Sequence, residues 1–102
     1  MIGVLFDKWG LTEKEGREIL GCTLDEYQEM KQGKIEGFSG EVDEKICGAL
    51  RIRTALKFWF VDEERRNKWV KKPNKIWGGK CASEMMIVDI KGVRKYLESD
   101  VW

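Results

Sequence analysis

Apolar side chains return along this chain in steps of three and four, the repeat of a helix with one buried face. No stretch alternates with period two, so no sheet is expected. Val4, Leu5 and Trp9 mark a first short helix over Ile2 to Trp9, ended by Gly10. Thr12 and Glu15 then form a capping box: the threonine hydroxyl accepts from the amide three residues on, and the glutamate reaches back to the threonine amide. Gly16, Ile19 and Leu20 share one face, and Gly21 supplies a left-handed stop. The signal repeats with Thr23 and Glu26, followed by Leu24, Tyr27 and Met30 or Lys31 at helical spacing, and Gly33 ends that helix. Two short helices joined across Gly21-Cys22-Thr23 read as a helix-turn-helix.

After a glycine-bearing loop from Gly33 to Gly40, a stripe of Val42, Ile46, Ala49, Leu50, Leu56 and Phe60 predicts a long central helix, Val42 to Phe60. Only Arg53 interrupts the stripe, and Phe58 and Trp59 make an aromatic end. Asp62 caps another helix with Trp69 and Val70 on its inner face, and Pro73 prevents its continuation. A basic, aromatic loop follows, Lys71 to Gly79. Two short helices close the chain, roughly Ala82 to Ile87 and Ile90 to Ser99, with Val93, Tyr96 and Leu97 on the inner face of the last. The expected fold is all-α, with five to seven short helices: a helix-turn-helix region over 1–37 packed against a helical domain over 38–102.

Composition narrows the chemistry. A chain of 102 residues with 42% hydrophobic and 36% charged residues suits short amphipathic helices around one core. There is no histidine, which removes His-based general-base and nucleophile-activating arrangements and any zinc site built on histidine. Cys22, Cys47 and Cys81 lie too far apart in sequence for a CxxC pair and are expected as small buried hydrophobes in a reducing cytoplasm. No apolar run approaches the ~20 residues of a membrane span. No enzyme activity, metal or cofactor is expected. Trp9, Trp59 and Trp69 sit among apolar neighbours and are expected in the core, whereas Trp77 and Trp102 fall outside the stripes and are expected at an interface.

Charge separates the two halves. Residues 1–40 hold five bases against eight acids, a net −3; residues 41–102 hold fourteen bases against ten acids, a net +4. The second helix of the pair opens Leu24-Asp25-Glu26-Tyr27-Gln28-Glu29, so a phosphate-lined groove would repel it. Thr23, Gln28, Lys31 and Lys34 are its candidate DNA contacts, and operator DNA is expected to bind weakly to the isolated protein. Helix-turn-helix proteins act as twofold dimers on paired half-sites, and the apolar segment Ile2 to Phe6 is a candidate seam, with packing on the chain's own core as the alternative.

From Phe38 onward the chain resembles the toxin-binding domain of the MbcA/ParS/Xre antitoxins. The resemblance is carried by Gly48-Ala49-Leu50-Arg51-Ile52-Arg53-Thr54-Ala55-Leu56, by Trp69-Val70-Lys71-Lys72-Pro73-Asn74, by Trp77-Gly78-Gly79-Lys80-Cys81-Ala82, and by Val93-Arg94-Lys95-Tyr96-Leu97 with Trp102 at the end. With the helix-turn-helix it covers nearly the whole chain. Cys81 stands where the family usually has serine or threonine, and Ser83 where it usually has a bulky apolar residue. The resemblance implies an antitoxin that covers the active site of a RES-type toxin, an NAD-consuming or ADP-ribosylating enzyme, and that autoregulates its operon. It places the partner surface on Pro73, Asn74, Trp77, Gly78, Gly79, Arg94, Tyr96, Glu98, Asp100 and Trp102. Read as residues alone, Pro73-Asn74 is a stop-and-turn, and Gly78-Gly79 is either a turn or a place where backbone amides approach a phosphate. The tail Glu98-Ser99-Asp100-Val101-Trp102 carries carboxylates and an aromatic ring that imitate the diphosphate and base of NAD. The alternative from another class is a stand-alone helix-turn-helix transcriptional regulator, perhaps phage-derived.

Overall fold

The computed structural model describes residues 2–34 and 37–99. Among them the chain is all-helical: α1 (Ile2–Lys8), α2 (Glu13–Leu20), α3 (Leu24–Lys31), α4 (Gly40–Trp59), α5 (Glu63–Trp69), a 3-10 turn (Lys75–Trp77) and α6 (Ala82–Ser99). No helix among these residues is long and apolar enough to cross a membrane.

Both capping boxes form. Thr12 Oγ1 accepts from the Glu15 amide at 3.2 Å while Glu15 Oε1 accepts from the Thr12 amide at 3.0 Å. Thr23 and Glu26 repeat the pattern at 3.2 and 2.9 Å. Gly21 closes α2 at φ 65°, the left-handed conformation that glycine adopts without steric cost. Gly16 is needed for a different reason. A β-carbon there would lie 2.5 Å from the Tyr27 hydroxyl, so only glycine lets α2 approach the ring of the buried Tyr27 on α3.

Helix α4 lies at the centre and packs most extensively on α6, while α2 also lies along α6. Its buried residues are Val42, Ile46, Gly48, Ala49, Ile52, Ala55 and Leu56, a wider arc than the single expected stripe. A helix covered on more than one side buries a second row, and a β-carbon at Gly48 would make ordinary van der Waals contact with Ile90 on α6, at 3.6 Å. Leu50, Arg53 and Phe60 are only half-buried. The two expected closing helices are both present: non-helical backbone at Asp89 (φ −156°, ψ 79°) breaks α6 between the expected halves, Ala82 to Ile87 and Ile90 to Ser99. Asp89 Oδ1 accepts from the Gly92 amide at 3.0 Å, which caps the second half. One apolar cluster runs from Ile2 and Phe6 through Ile19, Met30, Ile46 and Leu56 to Met86 and Leu97, so it crosses the expected boundary between residues 37 and 38.

Several positions differ from expectation. Ile2, Leu5 and Phe6 are buried inside the chain, so they make core rather than an exposed dimer seam, and Val4 points outward at 57% exposure. On α3, Met30 faces inward and Lys31 outward. Cys22 and Cys81 are buried, but Cys47 is exposed because it falls on the outer side of α4. Trp59 is 38% exposed rather than core, because α4 ends there and its ring lies over α6 instead of within the bundle.

Candidate functional site

The segment after α5 is a closed loop built on Asn74. The Asn74 amide donates to the Lys80 carbonyl at 3.0 Å, and its own carbonyl accepts from the amides of Trp77 (3.1 Å) and Gly79 (3.0 Å). Its side-chain Oδ1 accepts from the Ile76 amide at 3.1 Å. Gly78 and Gly79 have φ of 65° and 89°, which suit glycine and turn the chain back to Lys80. The sequence string Pro73-Asn74…Gly78-Gly79 is therefore a device that fixes the position of Trp77. Pro73, Gly78 and Gly79 are themselves exposed.

Trp77 is half-buried and meets two other rings edge-on: Trp69 of α5 at 5.9 Å and Tyr96 of α6 at 5.4 Å between centroids. Tyr96 in turn stacks on Trp59 of α4 at 6.2 Å. Trp59 Nε1 donates to the Leu97 carbonyl at 2.9 Å, which ties the end of α4 to the end of α6. Four aromatic side chains from four segments thus form one row, Trp69–Trp77–Tyr96–Trp59. Each such pair adds about 0.5–1.5 kcal/mol beyond burial, so the row fixes how α4, α5 and α6 meet. Ile76, beside Trp77, leaves 57% of its surface open, and Phe58, beside Trp59, leaves 73%. Trp77 is thus neither free nor core: one side is held and the loop around it is exposed.

Arg94 and Glu98 lie one turn apart on α6, with Arg94 Nε 3.6 Å from Glu98 Oε1. Arg51 of α4 approaches the other Glu98 oxygen at 3.8 Å. Glu98 is therefore held between two guanidinium groups on the same end of the bundle as Tyr96 and Trp59. Asp100 and Trp102 lie outside the described residues.

The start of α6 uses Cys81 where the sequence pattern suggests a hydroxyl. The Cys81 amide donates to Glu84 Oε1 at 3.2 Å, and the thiol lies 3.3 Å from the same oxygen and 3.0 Å from the buried Ser83 hydroxyl. The hydrogen bonds from the Cys81 amide and thiol hold the Glu84 carboxyl below its ordinary range. Ser83, unexpected in a buried position, donates its amide to the Val70 carbonyl at 3.0 Å and so docks α6 on the end of α5. A second feature that sequence reasoning misses is Arg66, whose Nη1 donates to the carbonyls of Phe60 and Val61 at 3.0 and 2.9 Å and locks the α4–α5 corner.

Three of the four candidate DNA contacts on and beside α3 make contacts within the chain. Thr23 spends its hydroxyl on the cap. Lys31 lies over the Tyr27 ring at 5.5 Å and 3.9 Å from Asp7. Lys34 lies over Phe38 at 4.7 Å and 3.5 Å from Glu29. Gln28 is exposed, beside the equally exposed Asp25 and Glu29. The outer face of α3 is acidic.

The chain is 31% identical over 98 residues to the uncharacterized protein y4oB of Sinorhizobium fredii (strain NBRC 101917 / NGR234), an alignment that covers 91% of this chain and 75% of that relative. It belongs to the same family as that protein. No protein-family model matches the chain, and no solved structure matches it.

Proposed function

We propose that this protein is an antitoxin of the MbcA/ParS/Xre kind, which binds a RES-type toxin and denies it NAD. The observation that carries the reading is the aromatic row. Trp69, Trp77 and Tyr96, three of the residues that carry the sequence resemblance, are far apart in the chain yet pack as one unit. An aromatic cluster with exposed apolar neighbours and a polar edge has the anatomy of an interaction surface, where Trp and Tyr supply most of the binding energy. An NAD site must hold a diphosphate and so presents cationic donors; an acidic tail after Glu98 is complementary to it.

Co-purification tests the reading. When the chain is expressed with a RES-type toxin from its own gene neighbourhood, the two are expected to elute as one complex that survives moderate salt, because an aromatic interface is not screened as ion pairs are. Separate elution of the two proteins at micromolar concentration would contradict the proposal.

A further inference from the structure

Positive charge is concentrated in one stretch of this chain, after the helix pair. Residues 65–80 contain Arg65, Arg66, Lys68, Lys71, Lys72, Lys75 and Lys80 and no carboxylate. All of these except Arg66 are exposed. Two open clefts lie side by side here, with Lys8, Trp9 and Asn67 as their common wall, and together they make up a trough crossed by that wall. The part between α1, α4 and α5, about 430 Å³, adds Arg53, Lys57 and Arg66. The part at the end of α5, about 450 Å³, adds Lys68, Lys71 and Lys72. The two acids in the walls, Glu63 and Glu64, are each paired at 3.0 Å, with Lys8 and Lys68. Glu15 from α2 approaches Lys71 at 2.6 Å. Exposed pairs of this kind contribute about 0–1 kcal/mol each and exchange readily for a phosphate partner.

We propose that this trough binds the phosphate backbone of duplex nucleic acid without reading its sequence. Seven cations in its walls against three acids, Glu63, Glu64 and the Glu15 that meets Lys71, leave a net charge of seven minus three, +4, toward such a backbone. Of the side chains that line it, Val4 alone is a large hydrophobic residue left exposed. A protein partner anchors on large exposed apolar side chains, and Val4 is the one such side chain here. Single strands are held by stacking on open aromatic rings, and Trp9, the aromatic residue in the walls, is 2% exposed. A toxin cleft built to hold a diphosphate would repel these cations, so the trough and the aromatic row serve different partners. The helix pair then need not supply DNA affinity at all.

The test is fluorescence anisotropy of a labelled random-sequence duplex titrated with the full chain at 50 and 150 mM salt. Contact with about four phosphates gives a slope near −3.6 in log K against log salt, so binding is expected to weaken about fiftyfold between the two concentrations. The variant Lys68→Gln/Lys71→Gln/Lys72→Gln is expected to reduce that ratio to about threefold, as one remaining contact would give. Lys8→Gln/Lys57→Gln, at the other end of the trough, should lower both affinity and slope, and unchanged circular dichroism spectra establish that each variant is folded. Lys31→Gln/Lys34→Gln on the helix pair should change neither. No binding at 50 mM salt, or a slope that follows the helix-pair variant instead, overturns the proposal. Displacement of the duplex by poly-glutamate at equal charge would also overturn it and assign the trough to an acidic protein.

Discussion

Leu56→Ala is expected to lower the stability of the chain by about 2–5 kcal/mol, the range found when a buried leucine is truncated and its neighbours close in only partly. Leu56 is 1% exposed and lies at the base of the cleft between α1, α4 and α5, which Leu5 and Trp9 also line. Those neighbours belong to short helices that gain most of their stability from packing rather than from their own propensity. Their collapse onto a smaller side chain is limited because the α4–α5 corner is fixed by Arg66. Since a domain of this size is stable by only about 5–15 kcal/mol, the loss should be evident as a large fall in the urea midpoint. Val61→Ala, at a position 95% exposed, serves as the control and should change stability by less than about 0.5 kcal/mol. A Leu56→Ala loss below about 1 kcal/mol would mean that α4 is not the packed centre of the fold.

Trp77→Ala should have the largest effect on partner binding. The ring joins Trp69 to Tyr96, so its removal empties the middle of the aromatic row and deprives the interaction surface of its anchor. If Trp77 is a hot spot worth at least about 2 kcal/mol, toxin affinity should fall about thirtyfold or more. The Asn74 hydrogen bonds that close the loop are independent of the ring, so helical content should be retained. Thermal melting of the free variant separates the two roles. A lower melting temperature with undiminished toxin affinity at low temperature would make Trp77 a strut between α5 and α6 and nothing more. Tyr96→Phe, which keeps the ring, is expected to bind the toxin nearly as tightly as the native chain.

Features written in consecutive residues were legible in the sequence. Thr12-x-x-Glu15 and Thr23-x-x-Glu26 each specify a helix start by themselves, and both form as expected. Gly21 and Asp62 likewise act where they stand. What depends on several segments meeting was not legible. Trp59, Trp69, Trp77 and Tyr96 are spread over nearly forty residues, and their meeting follows from the corner at Arg66, whose side-chain hydrogen bonds have no sequence signature, and from the turn at Asn74, which is legible as a turn but not as what brings the rings together. Trp59 reads as core because helical spacing does not tell which end of a long helix emerges from the bundle. The exposure of Cys47 and the burial of Ile52 share one cause: the arc buried on α4 is set by its neighbours, not by its own stripe. Counting charge by halves averaged away the run of seven bases over 65–80, and Lys8 and Arg53 reach the trough from elements distant in sequence. Asp100 and Trp102, on which the expected imitation of NAD rests most heavily, lie outside the described residues.

Inhibition is read most directly from the rate of NAD consumption by a purified RES-type toxin encoded beside this chain, titrated with the full-length protein. A linear fall in rate that reaches baseline at a fixed molar ratio is expected, as for a tight complex that closes the active site. A chain lacking residues 100–102 is expected to need a higher concentration for the same inhibition. A rate that stays constant through a tenfold molar excess of the full-length chain would contradict the claim that this protein is an antitoxin.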